Sequence, residues 1–159
     1  MRLARLLGLT PLFVAAAAPA SADATLFVGS NPTPVNRTAR GFALGVGLLI
    51  VGFEFEYSST PDDVDEAAPS LRTGSGNVLL QTPFPILGLQ PYLTTGAGVY
   101  RERLGDRQET HVGLNSGGGV KISLLGPLRA RLDYRVFNLR GEPLHSTVHR
   151  VYAGVNLAF

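Results

Sequence analysis

Three histidines, an acidic run and several charges at alternate positions are the residues with chemistry to offer. His145 and His149 are four apart. On a helix that spacing turns both rings toward one ion. On a strand it sets them roughly 13 Å apart, too far to chelate a single metal. His111 stands alone. Asp62, Asp63, Asp65 and Glu66 supply oxygen ligands of the kind calcium takes. The run lacks the fixed glycine and terminal glutamate of a calcium loop, so it reads as a solvated loop. Gly96-Ala97-Gly98 and Gly117-Gly118-Gly119 lie inside extended segments rather than ahead of helices, so they are not phosphate loops. The chain has no cysteine, which removes disulfides, thiolate zinc sites, a cysteine nucleophile and a lipidated N-terminal cysteine. What is left is Glu54 and Glu56 in one segment and Arg129, Arg131, Asp133 and Arg135 in another. Charges at every second position do something in concert only if a strand aims them at one face.

The elements that would position them read as strands. From Leu128, the residues Leu128, Ala130, Leu132, Tyr134 and Val136 share one face and Arg129, Arg131, Asp133 and Arg135 the other. Val51, Phe53, Phe55 and Tyr57 oppose Gly52, Glu54 and Glu56. In the last segment Val151, Ala153, Val155, Leu157 and Phe159 oppose Arg150, Tyr152, Gly154, Asn156 and Ala158. No convincing helix follows Ala24. The period of two predicts eight strands, over Ala24–Ser30, Gly41–Leu48, Val51–Ser58, Gly76–Thr82, Gln90–Arg101, Glu109–Leu124, Leu128–Leu139 and Val148–Phe159. Their connections alternate. Asn31–Arg40, Ser59–Ser75, Glu102–Gln108 and Arg140–Thr147 are longer and polar. Leu49-Ile50, Pro83–Leu89 and Gly126-Pro127 are tighter or apolar. Long loops on one side and short turns on the other are the pattern of outer-membrane barrels.

The first 22 residues read as a secretory signal peptide. Arg2 and Arg5 make a positive start, Leu6 to Ala18 is almost wholly apolar, and Ala20-Ser21-Ala22 is a small-x-small cleavage site. Cleavage after Ala22 leaves residues 23–159 as one domain. The whole chain holds 14 Lys and Arg against 12 Asp and Glu. With Arg2 and Arg5 removed the mature part balances at zero, and no basic cluster points to nucleic acid. Beyond residue 22 no apolar run of about 18 residues suggests a transmembrane helix.

An eight-stranded antiparallel barrel can face either way. A soluble one puts its apolar faces inside and its charges outside; a membrane barrel does the reverse. Glycine on the polar faces favours the membrane form: Gly96, Gly98, Gly113, Gly117, Gly119 and Gly154 belong where space is tight, as in a narrow lumen shared with long Arg and Glu side chains. The terminal Phe159, on the apolar face, points the same way. Taken in order, Phe53-Glu54-Phe55-Glu56-Tyr57, Pro91 to Tyr100, Gly113 to Lys121, Leu128 to Arg135 and the closing Leu157-Ala158-Phe159 resemble the small OmpA/OmpX-type outer-membrane β-barrels. The resemblance spans residues 23–159. It implies an all-β fold, an up-and-down transmembrane barrel of eight antiparallel strands. It also implies insertion by the outer-membrane assembly machinery, which reads the last strand and its terminal aromatic, here Val155, Leu157 and Phe159. The short loops and the apolar Leu49-Ile50 turn depart from the family.

Several expectations follow from this reading. Glu54 and Glu56 face Arg129, Arg131, Asp133 and Arg135 across the ring, joined by parity by Lys121 and Arg150. This inward set of five bases and three acids must be paired, because an unpaired buried charge is costly. Some of Tyr57, Tyr92, Tyr100, Tyr134 and Phe159 belong to interfacial belts. A lumen of eight strands is filled by side chains, which argues against a general porin. The expected role is structural or surface-interactive in the outer membrane, among its lipids and lipopolysaccharide, with no cofactor and no catalysis. Two alternatives stand beside it. His145-Ser146 bears a weak resemblance to outer-membrane lipid A deacylases, which use Ser, His and an acid, but the usual His-x-Ser spacing is missing. A soluble periplasmic ligand-binding barrel is the other.

Overall fold

In a computed structural model, residues 20–159 are described, and the eight expected strands close into one antiparallel barrel. They are β1 Ala20–Asn31, β2 Arg37–Leu48, β3 Val51–Thr60, β4 Ser70–Gln81, β5 Leu89–Leu104, β6 Arg107–Leu125, β7 Leu128–Leu139 and β8 Thr147–Ala158. Each strand pairs with the next in sequence, and β8 returns to β1, where Leu26 faces Val155 and Val28 faces Ala153. Closure removes every sheet edge, the condition for a sheet to stand in hydrocarbon. Of the expected signal peptide only Ala20-Ser21-Ala22 falls among the described residues. These three extend β1, and Ala22 and Phe159 exchange backbone hydrogen bonds at 2.8 and 2.9 Å. The remainder lies outside the described residues.

The wall is the inverse of a soluble barrel. Leu26 is 71% exposed and Leu93 65%, while Arg131 and Glu56 are wholly buried. Val46, Phe53, Phe55, Leu80, Val112, Leu132, Val151 and Val155 continue the outward apolar face. Along β5 the outward residues run from Leu89 and Leu93 through Ala97 and Val99 to Arg101 and Arg103, so the apolar belt ends at about Arg101.

Three connections are shorter than expected, and the first, over Asn31–Arg40, shrinks to 32–36 because β2 begins at Arg37. Glu102–Gln108 is not a long loop. β5 and β6 pair as far as Leu104 and Arg107 and turn through Gly105-Asp106, where the φ of 58° at Gly105 suits a residue without a Cβ. The hairpin therefore runs past β7, whose pairing with β6 begins at Gly113 and Leu139, while β4 follows it as far as Arg103. The loop expected over Ser59–Ser75 shrinks to 61–69, because β4 begins at Ser70 and pairs with β3 up to Leu71. At the other end the two-residue turn at Leu49-Ile50 places Leu49 at a φ of 55°, a strained region for a bulky side chain.

Candidate functional site

The inward positions of β3, β5, β7 and β8 build a charged plug across the middle of the lumen. Strands β3 and β7 stand four places apart in the ring of eight, so their inward side chains meet across it. Arg131 grips Glu54 with both terminal nitrogens, Nη2 lying 3.2 Å from Oε1. Arg135 reaches the same Oε1 at 2.7 Å and lies 3.0 Å from Oε2 of Glu56 through Nη1, an ion contact without an aligned hydrogen bond. Arg150 completes the row on Glu56 and on the Ser58 hydroxyl. Asp133 braces the row from its own strand, accepting from Arg131 Nη2 at 3.1 Å and from Arg135 Nε at 3.1 Å. Three arginines thus alternate with three carboxylates, and the set is neutral.

Aromatic rings wall the plug. Tyr92 donates to Asp133 and accepts from Arg131 Nε at 2.7 Å. The Arg131 guanidinium lies 4.9 Å from the Tyr92 ring centre, and that of Arg150 lies 4.6 Å from the Phe137 ring. Phe27 and Tyr152 stack at 4.1 Å. A guanidinium over a ring face is attracted by the ring quadrupole, more strongly once desolvated. Space for Tyr92 comes from Gly119. A Cβ there would stand 2.5 Å from the Tyr92 hydroxyl and 2.2 Å from the Leu132 carbonyl.

Of the remaining expected members, Lys121 and Arg129 lie apart from this row. Lys121 pairs with Asp23 toward the short-turn end. Arg129 is half-buried and donates to Gln90 Oε1 at 3.3 Å, with no carboxylate partner among the described residues. The expected surplus of two positive charges falls to one, because Asp23 adds a fourth acid. Asp23, Lys121, Gln90 and Arg129 border a vestibule of about 230 Å³ at that end. At the opposite end Arg37 donates to the backbone carbonyls of Thr33, Pro61 and Pro69, and Glu102 accepts from the Leu144 amide at 3.1 Å.

The other candidates are scattered. Tyr92 and Tyr100 point inward and are buried, so they are not belt residues; Tyr134 and Phe159 point outward, and Tyr57 lies half-buried on the outward face of β3. His149 shares a hydrogen bond with the Tyr134 hydroxyl at 2.7 Å, and His111 lies 3.1 Å from Glu109. The structure does not bring Ser146, His145 and an acid into mutual hydrogen-bond contact; Ser146 receives the Leu139 amide on its backbone carbonyl. Asp63 accepts the Glu66 amide at 3.3 Å, and among the described residues no group of three or more acids and histidines surrounds a metal-sized space. Val155, Leu157 and Phe159 all face outward beside β1.

Sequence reasoning missed Asp23, Gln90 and Tyr92 as members of the interior, and it put Tyr152 on the inward face of the last strand beside Arg150 without giving it a role. Parity alone would have placed Tyr92 there, since it shares the even face of β5 with Gly96 and Gly98.

No family model matches the chain, and neither does any curated protein. Solved structures do. The N-terminal β-barrel domain of Pseudomonas aeruginosa OprF matches with a TM-score of 0.65 at 20% identity, over 87% of this chain and 97% of that one. Neisserial surface protein A matches with a TM-score of 0.67 at 17% identity, over 88% and 96%. The outer membrane enzyme PagL matches with a TM-score of 0.52 at 12% identity, over 85% and 98%. At these identities the likeness is one of fold, that of the small outer-membrane barrels. One of the three is an enzyme, so the fold by itself carries no statement about catalysis.

Proposed function

We propose that this chain is an integral outer-membrane barrel with a structural or surface-interaction role, its lumen closed by the charged plug. The observation that carries the reading is the inversion: a predominantly apolar wall outside, and Glu54, Glu56, Arg131, Asp133, Arg135 and Arg150 buried and mutually paired inside. In water that wall would expose far more contiguous apolar surface than soluble proteins tolerate; in a bilayer it is solvated by acyl chains. A soluble periplasmic barrel would need the opposite arrangement. The likeness in fold to OprF and to Neisserial surface protein A supports the same compartment. The reading includes export with cleavage after Ala22, so that β1 of the mature chain starts at Asp23. It also includes recognition of the Phe159 end by the assembly machinery, and lipids and lipopolysaccharide as the immediate surroundings.

Fractionation followed by a gel tests this. The protein should stay with outer membranes after carbonate extraction and run faster unboiled than boiled. Release by carbonate, or one mobility under both conditions, contradicts it. In planar bilayers the folded protein should show no steady conductance of porin size, since arginine and glutamate side chains fill the bore.

A further inference from the structure

The outer wall carries a second set of arginines that the lumen does not use. Arg40 of β2, Arg72 of β4 and Arg101 of β5 lie on one cross-strand row: Arg40 faces Ser59, Ser59 faces Arg72, and Arg72 faces Arg101. Arg103 follows two residues along β5, opposite Ser70. All four are exposed and line one depression on the wall, where the apolar belt gives way to the loops. Like charges directly opposite each other destabilise a sheet. Among the described residues none of the four forms an ion pair: Arg101 donates to the Thr110 hydroxyl at 3.3 Å and Arg103 to the Gly105 carbonyl at 3.4 Å. Among the described residues Asp62 is the one acid bordering the depression, so four positive charges stand against one negative.

The position of the row selects the kind of anion. Immediately below Arg72 the outward residues of β4 are Gly74, between Tyr57 and Val99, and Gly76, between Phe55 and Ala97. Apart from the glycine and its two chain neighbours, no described residue has a heavy atom within 4 Å of the place a Cβ would occupy at either glycine. The wall therefore has a trough floored by backbone and flanked by Phe55 and Tyr57 on one side and Ala97 and Val99 on the other. It runs from the arginines down into the apolar belt. Glycine weakens a strand and often marks the close approach of another molecule. A soluble anion would engage the arginines and leave the trough unused. An amphiphile with an anionic head and a hydrocarbon tail matches both.

The geometry points to a binding site for a phosphorylated lipid of the outer leaflet, its phosphate held by Arg72 and Arg101 with Arg40 and Arg103 flanking, and one acyl chain in the Gly74–Gly76 trough. The assignment rests on the outer-membrane reading above. The guanidinium fork matches phosphate oxygens two at a time, and basic clusters at the membrane boundary take anionic lipid head groups. The ligand resolves the Arg72–Arg101 repulsion that the bare wall retains.

Native mass spectrometry of the detergent-purified, folded protein tests the site, with bisphosphorylated lipid A, dephosphorylated lipid A and inorganic pyrophosphate as probes. Three variants are compared with the parent: Arg72→Gln with Arg101→Gln, Gly74→Leu with Gly76→Leu, and Arg107→Gln on the hairpin tip as a control. Retention of lipid A should fall at least about tenfold on losing its phosphates or on losing the arginine pair, as expected for charge-assisted bidentate contacts. The glycine pair should weaken lipid A retention and leave pyrophosphate unaffected; the control should match the parent. Equal lipid A retention by the parent and the arginine pair overturns the site, and so does pyrophosphate binding as strong as that of lipid A. Should the glycine pair fail to fold, the arginine pair decides alone. A parent protein that carbonate releases from membranes defeats the outer-membrane reading itself. One that stays in the membrane, with its lipid binding unmoved by the arginine pair, defeats only the site.

Discussion

Two sets of arginines in this barrel differ in everything except residue type. Arg131, Arg135 and Arg150 point inward, are buried, and each touches at least one carboxylate. Arg40, Arg72, Arg101 and Arg103 point outward, are exposed, and touch none. Strand parity alone separates the two settings. Arg131, Arg135 and Arg150 share inward faces with Asp133 and Tyr152; Arg72 and Arg101 share outward faces with Val78 and Val99. A guanidinium in the plug must be neutralised by the protein, since it is buried. An outward one at the top of the apolar belt can be neutralised by its surroundings. The plug is thus electrostatically self-contained, and the rim is open to a ligand.

Changes to the inward set should be felt most. Replacing Glu54 and Glu56 together by Ala leaves Arg131, Arg135 and Arg150 with Asp133 alone, and should lower stability by about 3–5 kcal/mol, as when a buried pair loses one partner. Urea unfolding in detergent reads it as a lower midpoint. Glu54→Arg should be as damaging, and adding Arg135→Glu should restore part of the loss, because residues in contact couple in a double-mutant cycle. Gly119→Ala should destabilise by about 1–3 kcal/mol, since the new Cβ meets the Leu132 carbonyl and the Tyr92 hydroxyl and the wall must shift. Phe159→Asp should remove about 0–1 kcal/mol from the folded barrel, the range for a charge near the membrane interface. Its larger effect should be on assembly, read as less heat-modifiable protein in the outer membrane. Least of all, Arg72→Gln with Arg101→Gln should change the stability read from urea unfolding by no more than about 0.5 kcal/mol, the usual range for surface changes, while changing lipid retention.

The alternation of β3, β7 and β8 was plain in the sequence because each has charges on one face and aromatic or branched residues on the other. Once eight strands are counted, the meeting of Glu54 with Arg131 and Arg135 follows from the ring. Arg129 obeyed the same parity yet lies outside the row, because inward position fixes a face and not a height in the bore. Asp23 was hidden at the edge of the expected signal peptide, with no alternating pattern around it. The β5–β6 hairpin was misread because Glu102 to Gln108 carries charges on both faces, Glu102 inward against Arg101 and Arg103 outward, and so loses the apolar side of its period-two signal. The outer arginine row was illegible for a different reason. Arg40, Arg72 and Arg101 are far apart in sequence, and only the register of β2 through β5 brings them level.

The inversion of the wall is the claim on which the rest depends, and spin-label accessibility in lipid bilayers tests it most directly. The chain has no cysteine, so single labelled cysteines can replace Phe55, Leu93, Leu132 and Val155 on the outward face and Glu66 in a loop. The four outward labels should be relaxed by oxygen, which concentrates in hydrocarbon, and shielded from a water-soluble nickel complex, with the reverse at Glu66. Strong relaxation by the nickel complex at Phe55, Leu93, Leu132 and Val155 would place that face in water and contradict the account.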